Sequence, residues 1–268
     1  MADLPQAAHR RPFSFIERGK AHAAVRTGMR RTLTALLDLV FPPVCVTCGG
    51  EISTGRNHLC DDCLGRIVRI GHPLCTICGR PFLTAGDADH LCGACSNKKP
   101  PFAGARSFGV YGGVLLDTIH LFKYHHRTYL SSVLSGLVAQ YEWGDFNPRR
   151  YDLMVGVPLH RRRLYERGFN QAMLLCRGIG RQWGMEVVET GLARTRQTAP
   201  QIRLTPAERE RNVRGAFAVT GAGFDGKRVL LVDDVYTTGA TVSECSRVLM
   251  GAGAKEVGVL TVARVVII

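Results

Sequence analysis

From Ser107 onward, short uninterrupted apolar runs alternate with longer stretches of helical period. Ser107 to Tyr111 reads as a strand stopped by Gly112-Gly113, and helical stretches follow from Val114 to about Phe122 and from Tyr129 to Tyr141. Tyr151 to Val157 is an apolar strand ended by Pro158, since proline cannot donate to a ladder. Next come a helix around Asn170 to Trp183, a strand near Val187 and a polar, arginine-rich stretch from Arg194 to Arg214. A strand over Lys227 to Val232, a helix over Ala240 to Met250 and a last strand over Val257 to Val265 complete the pattern. Runs with no polar alternation suit strands buried on both faces, and strands alternating with helices predict an α/β fold built on a mainly parallel sheet.

The chain before Ser107 has a different texture. Leu33, Leu36, Leu37 and Val40 share one helical face, which marks a short amphipathic helix in the basic segment 1–40. Such a stripe packs on its own domain more often than it lies in a membrane interface, and a transit peptide is the remaining reading. Asn97 to Gly104 combines two lysines, a proline pair and a closing glycine, as a linker does. The expected organisation is a basic segment over 1–40, a small module over 41–99 and an α/β domain over 100–268. No window holds the roughly 18 consecutive apolar residues of a spanning helix, and the basic start lacks a convincing signal peptide, so the expected location is the cytoplasm with no membrane partner. With 46% hydrophobic and 21% charged residues in 268, disordered, collagen-like and coiled-coil classes are excluded.

Eight of the 10 cysteines form four CxxC pairs: Cys45/Cys48, Cys60/Cys63, Cys75/Cys78 and Cys92/Cys95. The segment repeats with a period of about thirty residues, His58-Leu59-Cys60 being echoed by His90-Leu91-Cys92. Two residues between cysteines let both sulfurs of a tight turn face one tetrahedral centre, and two such turns complete a four-cysteine zinc site. Disulfides need an oxidising compartment, and a redox CxxC occurs once rather than four times in a repeat. Two structural zinc ions, paired within each repeat, are the simplest assignment; spacing alone also admits an interleaved arrangement or a single occupied site. A four-thiolate shell has no open position, so the metal stabilises and does not catalyse. Cys176 and Cys245 lie in helical apolar stretches and read as core.

The formal charge of +13 suggests a polyanionic partner. Eight thiolates less two dications take four positive charges off that total, and the protein stays basic. His120, Lys123, His125, His126 and Arg127, with Tyr124 and Tyr129 nearby, form a basic cluster with interleaved aromatics. That pattern suits single-stranded nucleic acid, although an exposed helix end is the commoner cause.

Candidate chemistry concentrates in Val229-Leu-Leu-Val-Asp-Asp-Val-Tyr-Thr-Thr-Gly-Ala-Thr241. Four apolar residues carry a buried strand to its carboxyl edge, where ligands of open α/β sheets bind. Thr237, Thr238, Gly239, Ala240 and Thr241 then open a helix whose N-terminal N–H groups and hydroxyls suit a phosphate. Asp233 and Asp234 suit sugar hydroxyls or a cation. A receiver domain carries its acid pair near its start, whereas only 34 residues follow Asp234 here. A nucleotide hydrolase would need a Gly-x-x-x-x-Gly-Lys-Ser/Thr loop, which the chain lacks.

This segment resembles the phosphoribosyl-pyrophosphate (PRPP) motif of type I phosphoribosyltransferases, and its surroundings resemble one branch of them, the ComF-like proteins. The stretches that carry the resemblance are Phe41-Pro-Pro-Val-Cys-Val-Thr-Cys-Gly49, Lys123-Tyr124, Val157-Pro-Leu-His-Arg-Arg-Arg-Leu-Tyr-Glu-Arg-Gly-Phe-Asn-Gln171, Arg194 to Gln201 and Glu210-Arg-Asn-Val-Arg-Gly-Ala-Phe217. The resemblance implies a zinc module on a phosphoribosyltransferase fold and, in some relatives, an association with competence for DNA uptake. It implies that Asp233 and Asp234 bind the ribose 2′ and 3′ hydroxyls, that Thr237 to Thr241 cradle the 5-phosphate, and that Mg²⁺ accompanies PRPP. Pro158, Leu159 and His160 take the place of the pyrophosphate loop, and Arg194 to Arg214 that of a mobile lid. A departing pyrophosphate calls for cations, with Arg194, Arg196 and Arg203 placed to supply them and Arg161 to Arg163 and Arg167 as further candidates. The acceptor, chosen in this fold by a variable segment before Tyr151, is not legible, nor is the oligomeric state. The rival expectation is a competence-associated single-stranded DNA-binding protein that keeps its PRPP pocket as a sensor or relic.

Overall fold

The computed structural model describes residues 42–52, 58–82, 88–198, 204–221 and 223–266. The amphipathic helix expected before residue 41, Phe41 and Arg203 lie outside the described residues. Spatial clustering divides the chain into Met1–Val44, of which Pro42 to Val44 are described, and Cys45–Ile268, which is one compact unit.

Five strands build the main sheet, in the order β1-β7-β6-β2-β3 and parallel throughout: β1 (Gly104–Val110), β2 (Leu153–Gly156), β3 (Glu186–Val188), β6 (Arg228–Tyr236) and β7 (Glu256–Arg264). The apolar run of β6 divides by parity. Leu230 and Val232 join a core with the helices Gly113–Tyr124 (α3), Leu130–Gln140 (α4) and Gln171–Trp183 (α6), while Val229 and Leu231 pack on the other side with Val242, Cys245 and Leu249 of Ala240–Gly251 (α8). Residues two apart on a strand share a face, so a run without polar alternation requires cover on both. Cys176 and Cys245 are wholly buried in these two cores.

Chain order reverses beside β6. From β2 the chain moves outward to β3, and from β6 it moves the other way to β7, which opens a crevice at the carboxyl ends of β2 and β6. Two features here escaped the apolar pattern. Strand β6 continues to Tyr236, four residues beyond its apolar run, because Tyr236 stays in register with Arg264 of β7. The arginine-rich stretch joins two antiparallel strands, β4 (Leu192–Arg194) and β5 (Phe217–Val219), and contains a helix, α7 (Pro206–Val213). Thr205 and Glu208 form a reciprocal capping box at the start of α7.

The cysteine repeat is a structural repeat. Each begins with a turn in which the first cysteine N–H bonds to a carbonyl five residues on, Cys45 to Gly50 at 2.7 Å and Cys75 to Arg80 at 2.8 Å. Each then reaches a short helix, α1 (Asp61–Gly65) or α2 (Gly93–Asn97), with the third cysteine of its set at the N-cap position, where the Cys60 sulfur accepts from Cys63 N–H. The module runs along β1, the edge strand: Val110 N–H donates to Val68 and Ala105 N–H to Ile77. A Cβ on Gly79 would lie 2.3 Å from the Ala105 carbonyl oxygen, so glycine is needed where the second turn meets the strand.

Candidate functional site

The crevice is a cleft of about 940 Å³. Its floor is the end of β6. Asp233 and Asp234 are buried there, and each Oδ1 accepts the next residue's backbone N–H, from Asp234 at 2.9 Å and Val235 at 2.7 Å. Lys123, in the last turn of α3, puts Nζ 2.6 Å from Asp234 Oδ2 as an ion pair, yet that oxygen has no directed hydrogen bond among the described residues. Burial, reinforced by the Asp234 carboxylate, pushes the Asp233 carboxyl well above the usual carboxylate range. Burial alone would lower Lys123, but Asp234 against it raises it, so the ammonium persists.

One end of the cleft is the loop between β6 and α8, with Thr237, Gly239 and Thr241 lining it. Gly239 caps α8 at φ +81°, and a Cβ there would lie 2.2 Å from the Tyr236 hydroxyl oxygen. Only glycine fits, on both backbone and steric grounds. The opposite walls carry Arg163 and Arg167 of α5 (Arg161–Arg167), Arg194 of β4 and Arg209 of α7. Arg194 stacks over Phe217 at 5.3 Å, and burial, then the charge of Arg163, pulls its pKa down. Five cations face three acids, Asp233, Asp234 and Glu166, so the cleft is built for a polyanion that also needs acceptors at one spot.

The cysteines gather into two sets, Cys45/Cys48/Cys60/Cys63 and Cys75/Cys78/Cys92/Cys95, with all sulfurs of a set within 4.8 Å of one another. The Cys48–Cys60 and Cys78–Cys92 sulfurs are 3.6 and 3.7 Å apart. A tetrahedron with Zn–S bonds of about 2.3 Å has edges of about 3.8 Å, whereas a disulfide would bring sulfurs to about 2 Å. Both sets fit zinc, paired within each repeat.

A double zinc ribbon domain matches residues 36–96, and a phosphoribosyl transferase domain matches residues 189–265. The DNA utilization protein YhgH of Escherichia coli K12 is 35% identical over 237 residues, spanning 84% of this chain and 99% of that protein. Competence protein F of Haemophilus influenzae is 31% identical over 225 residues, 82% of this chain and 96% of that one. The chain belongs to the ComF-like family. Among solved structures, glutamine PRPP amidotransferase from B. subtilis aligns at 26% identity over 49% of this chain and 25% of its own, with a TM-score of 0.34.

Of the residues the ComF-like resemblance singles out, the cleft unites Asp233, Asp234, Thr237, Gly239, Thr241, Pro158, Leu159, Arg194, Arg163 and Arg167. Thr238 and Ala240 are engaged with each other, Ala240 N–H donating to Thr238 Oγ1 at 3.4 Å. His160 caps α5, its Nδ1 accepting from Arg162 N–H at 3.3 Å. Arg162 pairs with Glu166 at 2.9 Å. Arg196 donates to the carbonyls of Asn212 and Arg214 at 3.0 and 2.7 Å, and so ties the two arms of the arginine-rich stretch together. The basic cluster divides: His120, Lys123, Tyr124 and His126 line the cleft, and Arg167 stacks over Tyr124 at 5.4 Å. Lys123 stood in the basic cluster and in the family match, Gln171 in a family stretch and Arg209 in the arginine-rich stretch, but nothing in the sequence paired Lys123 with Asp234 or brought Tyr111 to the cleft. Among the described residues, no helix is long and apolar enough to cross a membrane.

Proposed function

We propose that this protein binds PRPP with Mg²⁺ and transfers its phosphoribosyl group to an acceptor, releasing pyrophosphate. The observation that carries the reading is the buried Asp233–Asp234 pair at the end of β6, between the Gly239 loop and a wall of arginines. The two acid side chains accept from the ribose 2′ and 3′ hydroxyls, and the loop holds the 5-phosphate at the start of α8. The bond from C1 to the pyrophosphate oxygen breaks as the acceptor bonds to C1. Positive charge growing on the sugar faces the acid pair, and negative charge on the leaving group faces Arg194. When bound, Mg²⁺ supplies charge neutralisation on the pyrophosphate, and the oxygen donors of Asp233 and Asp234 are of the class that hard cation takes. The arginine-rich stretch acts as a lid that keeps out water. Thiolate zinc sites suit a reducing compartment, which supports the cytoplasm, and the last zinc ligand at Cys95 followed by β1 from Gly104 supports a division into a zinc-ribbon module over 41–99 and a transferase domain over 100–268.

Calorimetric titration of Mg²⁺-PRPP into the zinc-loaded protein tests this. Saturable binding that vanishes in Asp233→Asn/Asp234→Asn is the expected result, and no heat from the wild type would overturn the reading.

One observation favours a second reading. Helix α5 exposes Tyr165 by 91% next to Leu164, among Arg161, Arg162 and Arg163. An aromatic among arginines offers stacking and phosphate contacts to single-stranded DNA, in keeping with relatives named for DNA utilization and competence. Single-stranded DNA binding that falls steeply with salt, survives the double aspartate change and is lost in Tyr165→Ala is what this reading requires.

A further inference from the structure

Arg264 ends β7 and is 6% exposed. Its Nη1 donates to the Cys78 carbonyl oxygen at 2.7 Å, and its Nη2 lies 3.6 Å from Cys78 Sγ, a member of the second thiolate set. The guanidinium carbon sits 4.1 Å above the centre of the Tyr236 ring. Backbone bonds lock the same place, Val265 N–H donating to Tyr236 O at 2.9 Å and Tyr111 N–H to Arg264 O at 2.7 Å. Tyr236, 5% exposed, is in turn the group against which Gly239 closes, with room for no Cβ. Four residues thus make one line, Cys78 to Arg264 to Tyr236 to Gly239, from a zinc site to the loop that opens α8.

The charge along this line matters. Arg264 makes no ion pair with a carboxylate among the described residues. A buried cation needs a counter-charge. Four thiolates around one zinc ion carry a net charge of about minus two, and the guanidinium lies against that set through Cys78. A planar fork that hydrogen-bonds at its edge and stacks by its face is a task for arginine and not lysine.

We infer that Arg264 is a positioning residue that makes the shape of the Thr237–Thr241 loop depend on zinc at the second site and not the first. That this loop takes the 5-phosphate rests on the PRPP reading; the link between the sites does not.

Amide hydrogen exchange over residues 236–241 reads the link without substrate. In Arg264→Lys, with two zinc ions per chain retained by elemental analysis, exchange there speeds up by about fivefold or more, the low end of ordinary coupling between sites, while Leu153–Gly156 stays protected. Cys78→Ser does the same, and Cys48→Ser, in the first set, does not. Unchanged exchange at 236–241 in zinc-loaded Arg264→Lys overturns the inference, as does an equal effect from Cys48→Ser. Calorimetry with Mg²⁺-PRPP then separates the two claims. A matching loss of affinity in Arg264→Lys joins them, whereas a wild type that exchanges as expected but binds no PRPP retains the link and removes the substrate.

Discussion

Asp233 is held at a cost that a ligand can use. A carboxyl whose pKa is raised by folding keeps a proton that the unfolded chain gives up. Its contribution to stability is therefore complete below the ordinary carboxylate value and is lost as pH rises toward the raised one. Asp233→Asn keeps an acceptor for the Asp234 N–H and removes the charge. Thermal melts of the ligand-free variant should lie above wild type at pH 8, by roughly 2–4 °C for each kcal/mol relieved, and converge with it in acid. Lys123 works in the opposite sense, because it is the cation that makes the acid pair tolerable. Lys123→Met leaves buried carboxylates without their partner and should cost about 3–5 kcal/mol in urea unfolding. Adding Asp234→Asn should recover much of that, and strict additivity of the two changes would show that the pair does not interact.

At the scale of elements, the loop after β6 depends on one residue without a side chain. Gly239→Ala meets both an unfavourable backbone and the Tyr236 hydroxyl, so the loop must shift. The expected result is a loss of more than about 1 kcal/mol of stability and a weakening of Mg²⁺-PRPP binding by roughly tenfold or more, read by calorimetry. The arginine-rich stretch is an element in its own right, since hairpin β4–β5, helix α7 and the Arg196 bonds to Asn212 and Arg214 brace it. Its apolar content is too small to announce a strand or a helix, and only the capping box of Thr205 and Glu208 marked α7 locally.

Across the whole molecule, the zinc module is a wall of the α/β unit. It occupies the free edge of β1 by backbone bonds, and an unpaired edge is an invitation to pair with another chain. Removing zinc with a chelator should lower the melting temperature and promote aggregation, both reversed by adding zinc back. The same experiment reports on thiols. Cys176 and Cys245 are wholly buried, burial pushes both thiols up, and neither should react with a thiol reagent in the zinc-loaded protein at pH 8. Labelling of either before the sheet unfolds would place them outside the two cores.

Sequence alone was enough for whatever repeats or runs. Four CxxC pairs specify tetrahedral thiolate sites because a two-residue spacing already brings sulfurs together, and the unbroken run Val229 to Val232 specifies a strand covered on both faces. The acid pair and the Thr/Gly turn were legible for the same reason, since residues adjacent in the chain form that half of the site. Tertiary structure alone decided the other half. Lys123 reaches Asp234 from a helix more than a hundred residues earlier, Arg163 and Arg194 converge from a helix and a hairpin, and Arg264 meets Cys78 across 186 positions of sequence. Charge pairs of that kind have no period and no spacing. They exist only because the order β1-β7-β6-β2-β3 brings distant strand ends to one edge, where burial makes each charge depend on the next.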